Sequence, residues 1–496
     1  MKSKLCLLWA LFVLMLPIGG YAQFVHAPKH EFRAVWLTTI KGLDWPKEEA
    51  MGDYERQQKD LCRILDSLQV ININTVLLQT RIRGDVIYPS SIEPFAPVFT
   101  GKHGMSPDYD PLAFAIEECH KRGMQLHAWL VTIPLGDVPY VKGHGRQSLP
   151  QKKPHLCTKF KGSWYMEPSN PATIAHLTAL VEEITIKYDI DGIHFDYIRY
   201  PENNLTYPDG ANYKRLKERG ESKGDWRRDN VSNLMSSLYH KVKSIKPWVC
   251  VSAATLGKYD DVARYSSYGW NAYATVYQDV QKWLSEGVVD AIFPMLYYAG
   301  NHFYPFVVDW GERSCGRHVV AGMGTYQLHE DEKNWELEEV VRQLHVVRAD
   351  TALSGAAQFR SQFVTDNTKG IYEQLRSFYP YPALIPSMPW LSDTPPPMPQ
   401  GLKVSVNKYS TSLSWRGCEG VSYNIYSSDT YPVDVTNPAN LCKTYIRETQ
   451  YKEFTPSIMF PRHYAITAID RYGCESAPLQ WKNTVIRQVI PRDKKR

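Results

Sequence analysis

The chain has no CxxC pair and no Cys/His cluster at zinc-ligand spacing, and no glycine-rich loop follows its first strand candidate. The first two absences argue against a zinc site, and pairs such as His302 and Asp309 lack regular ligand spacing. The third argues against a dinucleotide-binding open sheet. No metal and no cofactor are therefore expected. A formal net charge of +5 over 496 residues, two of it from Lys2 and Lys4, is too weak a bias for a nucleic-acid partner. Beyond the N-terminus no stretch approaches the ~18 apolar residues of a membrane span, so no stable membrane insertion is expected.

What the chain does have begins with Lys2 and Lys4 ahead of an apolar run from Leu5 to Ile18, then Gly20 and Ala22. Small residues at those two positions read as the cleavage site of a secretory signal peptide, 1–22, with a periplasmic or extracellular destination. Cys6 lies inside the run rather than after it, which argues against a lipoprotein. The other eight cysteines are scattered; most read as buried free thiols, with a disulfide open to a pair among Cys418, Cys442 and Cys474. Fourteen Trp and 32 Tyr supply flat apolar faces, which pack cores and also stack on sugar rings.

From Phe32 to about Phe363, strand-like and helix-like stretches alternate. Strand candidates are Phe32–Ile40, Ile73–Arg81, Gln125–Ile133, Ile190–Ile198, Val249–Thr255, Ala291–Tyr298, His318–Tyr326 and Gly355–Arg360. Amphipathic stretches such as Tyr54–Leu68, Leu112–Arg122 and Pro171–Tyr188 lie between them. Eight such units predict an α/β fold, a (β/α)8 TIM-type barrel over 23–380, with a doubly wound open sheet as the alternative. Long connections at 82–110, 134–165, 199–226 and 256–275 then fall on the strands' C-terminal side, where barrel active sites are built. A proline cluster predicts a stiff, extended linker over 381–400. Short alternating strands predict a small immunoglobulin-like β-sandwich over 401–485, followed by a basic tail, 486–496.

The most charged strand end is Asp189-Ile190-Asp191-Gly192-Ile193-His194-Phe195-Asp196-Tyr197-Ile198-Arg199-Tyr200-Pro201. Alternation puts His194 and Asp196 on one face and Asp191, Ile193 and Phe195 on the other. If Ile193 and Phe195 face helices, Asp196 faces the barrel interior near its open end, where an ionisable group is costly unless hydrogen-bonded or catalytic. Asp191, of opposite parity, reads as structural.

Several segments resemble the glycosyl-hydrolase-like 10 family of secreted bacterial barrels. They are Phe32-Arg33-Ala34-Val35-Trp36-Leu37-Thr38-Thr39, Asp44-Trp45-Pro46, Gln79-Thr80-Arg81 with Gly84–Ser90, His127-Ala128-Trp129-Leu130 and the Asp191–Pro201 segment. The resemblance spans about 330 residues. It implies a (β/α)8 barrel with glycosidase activity; a characterised enterobacterial member cleaves peptidoglycan glycan strands stripped of peptides. Tyr423–Tyr426 and Tyr464–Gly473 similarly resemble a fibronectin type III domain, which implies a spacer or binding module. The family often has a second acid directly after the strand-four Asp, where this chain has Tyr197, and Val131-Thr132-Ile133-Pro134 stands where the family usually has Asn-Pro-Tyr.

Glycoside hydrolysis normally needs two carboxylates flanking the bond. Asp196 is expected as nucleophile or general base. The second is open: Asp85, beside Arg81 and Arg83, or Glu330, next to Asp331, with a solvated charge run the plain alternative for the latter pair. Substrate contacts are expected from His194, Arg81, His127, Tyr297, Gln358, Trp36 and Arg199; core packing is the alternative for His127 and Trp36. The expected partner is an oligo- or polysaccharide. A glycan-binding barrel without catalysis, and a hydrolase of dietary or host polysaccharide, are the competing readings.

Overall fold

Eight short runs of apolar and β-branched residues pair side by side, all parallel, in a computed structural model that describes residues 27–201, 206–267, 269–407, 409–454 and 462–483. The expected signal peptide and basic tail lie outside these residues. The strands are β1 (Phe32–Leu37), β2 (Thr75–Arg81), β3 (Gln125–Val131), β4 (Gly192–Asp196), β5 (Cys250–Leu256), β6 (Ala291–Leu296), β7 (His318–Met323) and β8 (Gly355–Gln358). Each pairs with its sequence neighbours, and β1 pairs with β8 from Phe32↔Gly355 to Val35↔Gln358, so the sheet closes into a barrel. That pairing overturns the open-sheet alternative.

Helices fill the connections: α1 (Tyr54–Val70), α2 (Pro111–Lys121), α3 (Pro171–Lys187), α4 (Lys223–Ile245), α5 (Val280–Ser285), α6 (Tyr304–Glu312), α7 (Leu337–Ala349) and α8 (Ile371–Phe378). Their boundaries follow local chemistry. Asp110 accepts from the Leu112 and Ala113 amides ahead of Pro111, an N-cap contributing about 1 kcal/mol. Gly123, at φ +71°, ends that helix and returns the chain to β3. Strand alternation then sorts the core into two layers. Ile193 and Phe195 join the larger cluster, which includes helix residues such as Leu180 and Leu238, while Phe32, Trp36, Leu77, Trp129 and Phe293 fill the barrel interior.

Seven antiparallel strands follow the barrel. Gln400–Val406, Thr411–Arg416 and Gln450–Glu453 form one sheet; Leu441–Ile446, Ser422–Ser428, His463–Ile469 and Leu479–Trp481 form the other. Leu413, Trp415, Tyr423, Ile425, Tyr464 and Ile466 pack between them. Cys418, Cys442 and Cys474 are all free, so the disulfide left open from the sequence does not form; their thiols point instead to Pro397 O, Ser427 Oγ and Ser392 O.

The sandwich seats on the barrel's N-terminal end, opposite the mouth. Glu31 N donates to Leu384 O (2.9 Å) and Leu384 N to Lys29 O (2.8 Å), just before β1. Trp390 Nε1 donates to Asp290 just before β6 (2.9 Å), and Arg447 and Arg471 reach Asp189 just before β4 (2.9 and 2.8 Å). The proline cluster is therefore not an extended spacer along its whole length. Leu384, Ile385 and Met388 are buried in the seam; the 393–398 stretch is largely exposed. Leu384 packs with Tyr426, Val433, Leu441 and Ile469 of the sandwich. Leu384→Ala should cost about 2–5 kcal/mol. Barrel and sandwich should still melt in one calorimetric transition at lower temperature; two separated transitions in the unmodified protein would contradict this seam.

Candidate active site

Asp196 is the last residue of β4, and its neighbours fix it from three sides. Its backbone carbonyl accepts from Thr132 N (2.9 Å) and Thr132 Oγ1 (3.0 Å), tying the β4 end to the β3 end. Its Oδ2 accepts from Trp129 Nε1 (3.2 Å) and its Oδ1 from Tyr197 N (2.7 Å). Tyr197 makes the second contact from a left-handed backbone, φ +52°, unusual for a bulky residue and found most often where function fixes geometry. The same turn leaves its ring 39% exposed, over which Arg199 stacks at 4.5 Å.

These residues form the floor of a cleft of about 630 Å³ at the C-terminal mouth of the barrel. Its walls include Gln79, Arg83, Trp164, Tyr165, Met295, Tyr297, Phe359 and Arg360, contributed by the ends of β2, β6 and β8 and by loops. Among the described residues Asp196 is the only carboxylate lining it. Tyr297 is half-buried in the cleft wall; burial first, and then the negative charge of Asp196, hold its hydroxyl far above the usual phenol range, so it keeps its proton. Arg360 is neutralised by Asp44, whose other oxygen accepts from Thr38 N and Oγ1.

The other sequence candidates lie outside this cleft. His194 does face inward, but one layer deeper. Trp36 Nε1 donates to its Nε2 (3.2 Å), which leaves Nδ1 to donate to Ser252 Oγ (2.9 Å), a tautomer assigned from the network. Burial, with His127 nearby, drives its pKa well below the usual imidazole value, so it is neutral and both nitrogens are used inside the barrel. His127 is buried beneath it, held down to about 4 by burial; Gly192 leaves room for its ring, since a Cβ there would lie 2.5 Å away. Trp36, 2% exposed, meets His194, Phe293 and Phe359 edge-on and offers no face to a sugar. Gln358 is buried and accepts from Thr325 Oγ1 (2.6 Å).

Arg81 is a buried strut rather than a cleft cation. Its Nε and Nη2 each donate to Glu93 at 2.7 Å and its Nη1 donates to Thr132 O (2.7 Å), the residue that also bonds to Asp196. Asp85 is wholly buried and accepts from Tyr140 OH, His144 Nε2 (2.9 Å) and Arg83 N (3.0 Å), so its oxygens are spent on the loop after β2. Glu330 is exposed on a turn beyond β7 and lines no part of the cleft. Of the ten sequence candidates, Asp196, Tyr297 and Arg199 come together there. Arg83, Trp129, Tyr197 and the Trp164–Tyr165 hairpin are additions, and the unusual length of the 134–165 connection is the sequence signal for the hairpin.

A closed (β/α)8 barrel with a held carboxylate at its mouth and an aromatic cleft above it defines a glycosidase-type enzyme. The comparisons are specific about which. The chain belongs to the glycosyl hydrolase-like 10 family, whose model matches residues 31–313, and is a glycoside hydrolase. It is 30% identical to the glycosyl hydrolase YngK of Bacillus subtilis over 423 residues, covering 81% of each chain. It is 28% identical to the glycosyl hydrolase DigH of Escherichia coli K12 over 367 residues, 67% of this chain and 83% of that one. The glycoside hydrolase domain of PgaB (BpsB) from Bordetella bronchiseptica shares the fold, at a TM-score of 0.50 and 16% identity, over 70% of this chain and 98% of that structure.

Glu93 shows how firmly the mouth is braced. Burial alone would raise its pKa, but Arg81 and His176 outweigh it and bring the carboxyl from 4.5 to about 2. A folded-state value below the unfolded one means full stabilisation above about pH 4.5, lost as pH falls towards 2. Glu93→Gln leaves Arg81 buried without its counter-charge and should cost about 3–5 kcal/mol at neutral pH in urea unfolding. Its stability should also fall less between pH 4.5 and 2 than that of the unmodified protein; parallel curves would contradict the pairing.

Proposed function

We propose that this glycoside hydrolase acts outside the cytoplasm on a bacterial glycan, peptidoglycan glycan strands foremost, with Asp196 as nucleophile or general base. The observation that carries the reading is Asp196 itself: a strand-end carboxylate on the floor of an open cleft, oriented by Trp129 and Tyr197. Two fixed donors keep the charged form in one geometry, as attack or proton abstraction needs. Tyr297, protonated beside it, is a donor for a sugar hydroxyl or ring oxygen. Trp164, Tyr165 and Tyr197 offer flat faces on which sugar rings stack. The N-terminal Lys2–Ala22 pattern supports export, and the family resemblance supports the peptidoglycan substrate.

A glycan-binding barrel without catalysis stays in view for one reason, the single carboxylate among the described lining residues. Incubation with peptide-free peptidoglycan strands, read as new reducing ends, separates the two readings. Asp196→Asn should lower the rate about 10²–10⁴-fold while retaining binding. Binding with no cleavage by the unmodified protein would contradict the proposal.

A further inference from the structure

Arg83 is a cation on the cleft wall that forms no ion pair with any described residue, although Glu48 and Asp137 line the groove beside it. Arg81, two residues earlier, is matched by Glu93, and Arg360 by Asp44. Among the described residues the Arg83 guanidinium has no ion-pair partner, and its Nε is buried without a hydrogen bond. Its sequence neighbour Asp85 does not serve, because that carboxylate is bonded to Tyr140 OH, His144 and the Arg83 main-chain amide. An arginine in this state is either a packing staple or a receptor for an anion.

Its surroundings favour the receptor. The guanidinium carbon lies over the Tyr140 ring, 3.5 Å from the centroid, and that ring is locked by its bond to Asp85. The stem is backed by Gly136 at φ +97°, where an added Cβ would come within 3.1 Å of Arg83 Cδ. Arg83 therefore stands preorganised, with the planar fork that suits bidentate carboxylate recognition. It also lines both the Asp196 cleft and an adjoining groove of about 470 Å³, which share Ile40 and Ile82 as well. A polymer running from the cleft into this groove would pass this charge.

We propose that Arg83 is a specificity residue that pairs with a carboxylate carried by the glycan, so that the substrate class is an acidic polysaccharide with sugar-borne carboxylates. The inference rests on the reading of the Asp196 cleft as the glycan site. Two sources share this chemistry: a uronic acid, and the lactyl ether of muramic acid, whose carboxylate is free only where no peptide is amide-linked to it. In the second case Arg83 would let the protein tell bare strands from peptide-bearing ones by charge.

Binding to the Asp196→Asn protein, measured by calorimetry, tests this without depending on turnover. The probes are a tetrasaccharide alternating N-acetylglucosamine and N-acetylmuramic acid, the same molecule with its carboxylates converted to methylamides, and an oligouronate. The free acid should bind about tenfold or more tighter than the amide. Adding Arg83→Gln should bring that ratio close to one, and Arg83→Lys should restore part of it. Tighter binding of the oligouronate than of the free-acid tetrasaccharide would support the pairing and assign the carboxylate to a uronic acid. Equal affinity for acid and amide, an acid preference untouched by Arg83→Gln, or no binding of either acidic probe overturns the inference. Acid-selective, Arg83-dependent binding without cleavage by the unmodified protein would instead sink the hydrolytic reading and leave this one standing.

Discussion

The closure of the sheet between β1 and β8 is the constraint on which the rest of the structure depends. A barrel closes only at a particular stagger, and that stagger decides which strand ends meet at the mouth. Here the seam runs through Gly355, at φ +139°, where an added Cβ would stand 2.0 Å from the Phe32 carbonyl oxygen. Only a residue without a side chain lets the last strand lie this close to the first. Once the register is set, β2, β3, β4, β6 and β8 all deliver residues to one cleft, and β4 ends with Asp196 in its floor.

Charge inside the barrel follows depth. One layer below the mouth, His194 and His127 are held neutral by burial, and His194 is satisfied by Trp36 and Ser252. Beside the mouth, the buried side chains of Arg81, Glu93 and His176 bond to one another, and Arg81 also holds the β3 end. Asp85 likewise serves the loop that carries Arg83. These compensated groups are scaffold. Their effect on function is indirect: they fix the strand ends and the loop on which Asp196 and Arg83 are displayed.

Much of this could be read from the sequence, for a definite reason. Period-two alternation separated Ile193 and Phe195 from His194 and Asp196, and the structure places the first pair outward and the second inward. Alternation reports a face, however, not a depth. His194 and Asp196 share a face, yet the layer between them is decided by Trp36 and Ser252, residues 158 and 58 positions away. For the same reason Arg81 read as a mouth residue: its partner Glu93 lies across a loop with no periodic pattern to reveal the pairing. The proline cluster read as a spacer because composition reports stiffness, whereas Leu384 and Met388 were claimed by the seam between two domains.

The most direct test of Asp196 as the reacting group is a structure of the Asp196→Asn protein with a peptidoglycan tetrasaccharide bound. A sugar ring should lie against the Trp164–Tyr165 wall, with an anomeric carbon or bridging oxygen within about 3.5 Å of residue 196 or one water away from it. A glycan lodged elsewhere, on the sandwich or with no glycosidic bond near residue 196, would contradict it.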